Sequence, residues 1–140
     1  MPESTVHIDL VFLMKAYAKY ELCIDDGFIL LDTPDYLIGN KPPLINDRRP
    51  DMYIRTNEIL IIGEAKTTSD WNTKHSISQY KSYFQECIEF CSNALLLIAV
   101  PWHIERGVRN YLRHLFRDAR NELVSLTVIS DMWRGQCAKD

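Results

Sequence analysis

Apolar residues recur at helical spacing near the start of the chain. Leu10, Leu13, Tyr17 and Tyr20 predict a helix over residues 4–22, with Ser4 or Thr5 as its N-cap. "GFILLD" (27–32) has the apolar density of a strand, and the prolines and glycine of residues 33–50 interrupt any long element, leaving a loop with room for a short strand at 36–38. Two short strands follow, 51–56 and 58–66, separated only by Asn57, a residue that tolerates positive φ and so suits a tight hairpin. Helical spacing returns over 76–90 through Ile77, Tyr80, Phe84, Cys87, Ile88 and Cys91. "NALLLIAVP" (93–101) is continuously apolar and short, as a strand covered on both faces should be. A third helix over 103–123 and a last strand over 124–131 complete an α-β-β-β-α-β-α-β order. Strands alternating with helices late in the chain predict an α/β fold with a mixed sheet.

At 140 residues the chain fits one domain, residues 1–140, with enough length to bury a core unaided. With 46% hydrophobic and 25% charged residues it reads as soluble, and no apolar run approaches the roughly 20 residues of a membrane helix. The N-terminus carries no basic stretch and no small-residue cleavage site, so the expectation is an intracellular protein, cytoplasmic and away from membranes. Cys23, Cys87, Cys91 and Cys137 form no CxxC pair and no zinc spacing; Cys87 and Cys91 read as reduced thiols in a helix core. His75, in a polar stretch, reads as an ordinary loop histidine.

The chemistry concentrates in "RRPDMYIRTNEILIIGEAK" (48–66). Glu64 and Lys66 are two apart on one strand and leave the same face. If the two strands pair antiparallel about Asn57, Asp51 at the start of one lies beside them at the end of the other. Two adjacent carboxylates repel unless a cation shares the site. A hard divalent ion such as magnesium, held by one or two carboxylates with water and phosphate oxygens, relieves that repulsion. A lysine beside it can orient the attacking water or neutralise charge on phosphorus, which is the chemistry of metal-assisted phosphodiester hydrolysis.

Pro50-Asp51 opening one strand, "ILII" and Glu64-Ala65-Lys66 ending the next, and a helix directly afterwards resemble the PD-(D/E)XK nuclease superfamily. "QYKSY", with Gln79 and Tyr83, looks like the QxxxY motif of its RecB-like members, and the element order is similar to VRR-NUC domains and Holliday-junction resolvases. The resemblance implies a restriction-endonuclease-like αβββαβ core, its mixed central sheet flanked by helices, to which this chain adds a C-terminal helix and strand. It implies Asp51, Glu64 and the Ala65 backbone carbonyl as ligands of Mg²⁺ or Mn²⁺, and Lys66 as the catalytic lysine. It also implies Gln79 and Tyr83 as groups that position DNA and the active site. Many members carry an acid on the first helix; Glu21 and Asp9 are the candidates here, with Glu3 a remote third. Glu21 is preferred because it shares a helical face with Leu10, Met14 and Tyr17. The C-terminal cysteine cluster of iron–sulfur RecB-like nucleases is missing from the sequence.

The net charge of −3 argues against a general nucleic-acid coat, since phosphate contacts come from Lys and Arg. Arg106, Arg109, Arg113, Arg117 and Arg120, however, fall within about 80° of arc on the expected third helix, opposite Val108, Leu112 and Phe116. That ridge is a candidate phosphate-binding surface. The functional expectation is a metal-dependent deoxyribonuclease, endo- or exo-acting, serving repair, restriction or the processing of mobile-element or viral DNA. The alternatives are an RNA endonuclease of the same fold, as in viral cap-snatching enzymes, and a catalytically silent nucleic-acid-binding or assembly domain. A homodimer would suit cutting of both strands, though no residue indicates one.

Overall fold

A computed structural model describes residues 4–34, 41–119 and 121–133. Helix α1 spans Thr5–Tyr20 and starts where the Ser4 hydroxyl accepts the His7 N–H at 3.1 Å. Its buried side chains, Leu10, Val11, Met14 and Ala18, form the single stripe that helical spacing requires. The helix ends at Glu21, and the left-handed Cys23 (φ 59°) turns the chain away.

The strands are β1 (Leu30–Leu31), β2 (Met52–Arg55), β3 (Ile59–Ala65), β4 (Asn93–Val100) and β5 (Val124–Ser130), and they lie in that order across one sheet. β1, β2 and β3 are antiparallel, while β3, β4 and β5 are parallel. The parallel crossovers are made by α2 (Lys74–Glu89) and α3 (Glu105–Leu115). These two helices cover one face of the sheet with a core that includes Leu60, Ile62, Tyr80, Phe84, Val108 and Leu112. On the other face α1 packs alone, burying Met14 against Met52, Ile54, Ile61 and Leu97. Each such fully buried aliphatic side chain contributes about 1.5–3 kcal/mol. β4, sandwiched between the layers, is buried from Ala94 to Val100. Gly63 marks the closest approach of α1 to the sheet: a Cβ there would lie 2.9 Å from the Met14 sulfur and 3.1 Å from the Met52 Cβ.

The α/β class, the mixed sheet and the element order agree with the sequence reading, and local details differ for identifiable reasons. Of residues 27–32, Asp26–Phe28 form a 3-10 turn and only Leu30–Leu31 pair as a strand. The short strand expected at 36–38 falls outside the described residues. Asn57 is not among the residues with positive φ; instead the Thr56 hydroxyl accepts both the Glu58 and Ile59 N–H groups at 3.1 Å and closes the hairpin. Cys91 lies past the end of α2, exposed and left-handed (φ 65°), so only Cys87 of that pair is core. Burial pushes the Cys87 thiol up to about 12.

The expected 103–123 helix is shorter, because α3 stops at Leu115. Phe116 turns inward to stack on Phe84 with ring centroids 4.1 Å apart. A 3-10 turn at Arg117–Ala119 follows, and the Asn121 side chain accepts the Leu123 N–H at 2.8 Å. No helix among the described residues is long and apolar enough to cross a membrane.

Candidate active site

The hairpin register decides what meets at its open end. Met52 pairs with Gly63, which places Asp51, one residue earlier, opposite Glu64, one residue later. The carboxylates are then tied to the backbone crosswise: Asp51 N–H donates to Glu64 Oε1 at 3.3 Å, and Ala65 N–H donates to Asp51 Oδ2 at 2.9 Å. Lys66 N–H donates to the Ala99 carbonyl at 2.9 Å on the β4 side. Polar groups of successive strand residues point to opposite edges, so the Ala65 carbonyl, like its N–H, faces the β2 side.

Lys66 Nζ lies 3.5 Å from Glu64 Oε2 and donates to Gln79 Oε1, and the Gln79 amide nitrogen donates back to Glu64 Oε2 at 3.4 Å. Gln79 reaches this point because α2 is capped by the Thr73 hydroxyl, which accepts Ser76 N–H at 3.2 Å and fixes which helix face meets β3. Tyr83, one turn further along the same face, buries its hydroxyl near the Gln79 side chain without a well-formed hydrogen bond among the described residues. Burial first, then the charges of Glu64 and Asp51, hold that phenol well above its ordinary range.

Asp51, Glu64, Lys66 and Gln79 are all buried, with residue exposures of 4–7%. Glu64 is held protonated well above the usual carboxylate range, mainly by burial and next by Asp51, with Lys66 opposing. Two acids in one dry site face a single lysine, an arrangement short of positive charge. The donors on hand, two carboxylates and a backbone carbonyl, are hard oxygens that suit Mg²⁺ or Mn²⁺ completed by solvent or phosphate oxygens. Among the described residues no three His, Cys, Asp or Glu side chains form a metal cluster by themselves, so a cation here would depend on such outside oxygens.

One neighbour was not foreseen from sequence. The His7 imidazole reaches Asp51 Oδ1 from the first turn of α1, Nε2 to oxygen 3.2 Å, across a sequence separation of 44. Glu21, by contrast, is not brought to the site. It is the exposed C-cap of α1, 14 residues beyond His7 and therefore about 21 Å along the axis at 1.5 Å per residue. Asp9 is exposed on α1, and Glu3 lies outside the described residues.

The arginine ridge is also reduced. Arg106, Arg109 and Arg113 belong to α3 and Arg117 to the turn after it, while Arg120 lies outside the described residues. Arg109 is half-buried, donating to Glu105 Oε2 at 2.8 Å and to the Val128 carbonyl at 3.3 Å, where it props the outer edge of β5. Arg109 and Arg113 line a cleft with Leu126, Thr127 and Val128, two strands away from β3. His75 is exposed in the first turn of α2. Comparison with protein-family models, curated proteins and solved structures finds no match to the chain.

Proposed function

We propose that this chain is a metal-dependent nuclease that hydrolyses phosphodiester bonds, with DNA the favoured substrate. On this reading the α1–β1–β2–β3–α2–β4 order is the αβββαβ core of the PD-(D/E)XK superfamily, with α3 and β5 appended. The observation that carries it is the meeting of Asp51, Glu64, Lys66 and Gln79 in one buried cluster at the open end of the β2–β3 hairpin.

In this reading Asp51, Glu64 and the Ala65 carbonyl would hold Mg²⁺ or Mn²⁺, which when bound would supply Lewis-acid polarisation of the phosphate and a more acidic water. Asp51 is held in place for this by the Ala65 N–H and by His7. Lys66 is aimed by Gln79 and lies beside Glu64, so its ammonium can orient the attacking water and offset charge building on the phosphate oxygens. Gln79 spans Lys66 and Glu64 and fixes their separation; Tyr83 offers its buried hydroxyl to the same space. Such an enzyme would act on nucleic acid inside the cell.

The test is incubation of the protein with single-stranded, duplex and branched DNA and with RNA, with and without Mg²⁺ or Mn²⁺. Metal-dependent cleavage that is lost in Glu64→Ala is expected, and the preferred substrate separates DNA from RNA. Metal-independent cleavage, or none of any substrate, contradicts the reading.

A further inference from the structure

Among the described large apolar side chains, Trp102 is the most exposed, at 61%. Single exposed apolar residues are ordinary; the way this one is held is not. It stands in the 3-10 turn Trp102–Ile104, directly after β4, at the carboxyl ends of the parallel strands, where open α/β sheets place their ligands. Ala99, three residues earlier, pairs with Ala65 and accepts the Lys66 N–H, so the Trp102 backbone lies within about 10 Å of the strand residue beside Lys66.

Contacts from two neighbouring strand ends brace it there. The Trp102 backbone N–H donates to Asp131 Oδ1 at 2.8 Å, just past β5. The ring makes an edge contact with the His103 imidazole, centroids 5.9 Å apart at 80°, and His103 Nε2 is in turn hydrogen-bonded to the Thr68 hydroxyl at 3.1 Å, just past β3. The turn that carries Trp102 is thus anchored at two strand ends, and its ring is left exposed. Four residues on, in the first turn of α3, Arg106 is exposed and makes no ion pair among the described residues. Of the acids close by, Glu105 pairs with Arg109, while the Asp131 carboxylate stays at the turn, accepting the Trp102 backbone N–H. An exposed aromatic ring and, four residues on, an exposed guanidinium with no ion pair among the described residues are the two kinds of group that meet a nucleotide, one to stack on a base and one to neutralise a phosphate.

We infer that Trp102 is a stacking platform for an unpaired nucleobase, with Arg106 contacting the adjoining phosphate, so that the candidate site receives nucleic acid as a single strand. This rests on the nuclease reading for where the strand leads, and the stack itself can be measured without it. A duplex presents its bases only at its ends, so the platform favours unpaired strands.

The test is fluorescence anisotropy at low salt in chelator, where no metal-assisted cutting occurs. Labelled single-stranded DNA, single-stranded RNA and duplex DNA are each titrated with wild type, Trp102→Ala and Trp102→Phe. Trp102→Ala should weaken single-strand binding about 5- to 150-fold, the range for loss of one stacked base. Trp102→Phe should retain most of the affinity, and duplex binding should change little. The DNA and RNA arms show which sugar the platform serves. Because the ring is exposed, both variants should melt with the wild type by circular dichroism.

Equal single-strand affinity of Trp102→Ala and wild type, equal losses on single strand and duplex, or no wild-type binding to any strand would overturn the inference. Trp102-dependent binding by a protein that cuts nothing in Mg²⁺ or Mn²⁺ would keep the platform and remove the nuclease reading. Metal-dependent cutting with no Trp102 effect on binding would do the reverse.

Discussion

Replacing Lys66 with Met keeps a similar chain volume and removes the ammonium that faces Glu64. At 3.5 Å and an effective dielectric of about 20, the Lys66–Glu64 attraction is about 5 kcal/mol. Part of it is offset, because the variant no longer desolvates a lysine, and breaking a buried pair costs about 3 kcal/mol net when the remaining partner stays charged. Glu64 has another course, which is to keep its proton. Its carboxyl already titrates above the ordinary range when folded, so the folded state binds more protons than the unfolded state there. Wild-type stability therefore falls as pH rises from the ordinary carboxylate range to the raised folded value. Lys66 is the influence that lowers that value, and its loss extends the fall to higher pH.

The gap between wild type and Lys66→Met should accordingly be small at acidic pH, where Glu64 is protonated in both. It should open with rising pH, at up to about 1.4 kcal/mol per unit. Urea denaturation in chelator across a pH series measures it. A gap that is the same at every pH, or none in the alkaline range, would refute the buried-pair reasoning.

Gly63→Ala drives a methyl toward the Met14 sulfur and the Met52 Cβ and should cost about 1–3 kcal/mol in urea unfolding, with little change in the m-value. Gln79→Ala, which frees Lys66 and Glu64 from their common partner, should reduce kcat about 10- to 100-fold while calorimetry shows Mn²⁺ binding retained; equal loss of both would place Gln79 among the metal's own supports. Thr73→Ala removes the α2 cap and should cost about 1 kcal/mol by thermal melting.

The elements legible in the sequence were those in which packing follows local period. α2 buries Gln79, Tyr80, Tyr83, Phe84 and Cys87 at helical spacing, and β4 is apolar throughout because both of its faces are covered. The grouping of Asp51, Glu64 and Lys66 was legible for a related reason: a short hairpin leaves few registers, so the turn dictates which ends meet. Period shows which face of a helix packs, but not which end of it lies near a site. Glu21 continues the stripe of Leu10 and Met14 and still sits at the wrong end of α1, while His7 at the right end had no spacing to connect it with Asp51. The third helix was overextended because the arginine period runs on past Leu115; what ends the helix is Phe116 stacking on Phe84, a contact between distant parts of the chain.

The central claim assigns different work to neighbouring residues, acids to hold the cation and a lysine to act on phosphate and water. Calorimetric titration with Mn²⁺, run beside a cleavage assay for wild type, Asp51→Ala, Glu64→Ala and Lys66→Ala, tests that division most directly. The account predicts that both acid variants lose metal binding and cleavage together, and that Lys66→Ala binds the ion yet does not cut. Cleavage surviving in Glu64→Ala, or wild type that neither binds the ion nor cuts, would contradict it.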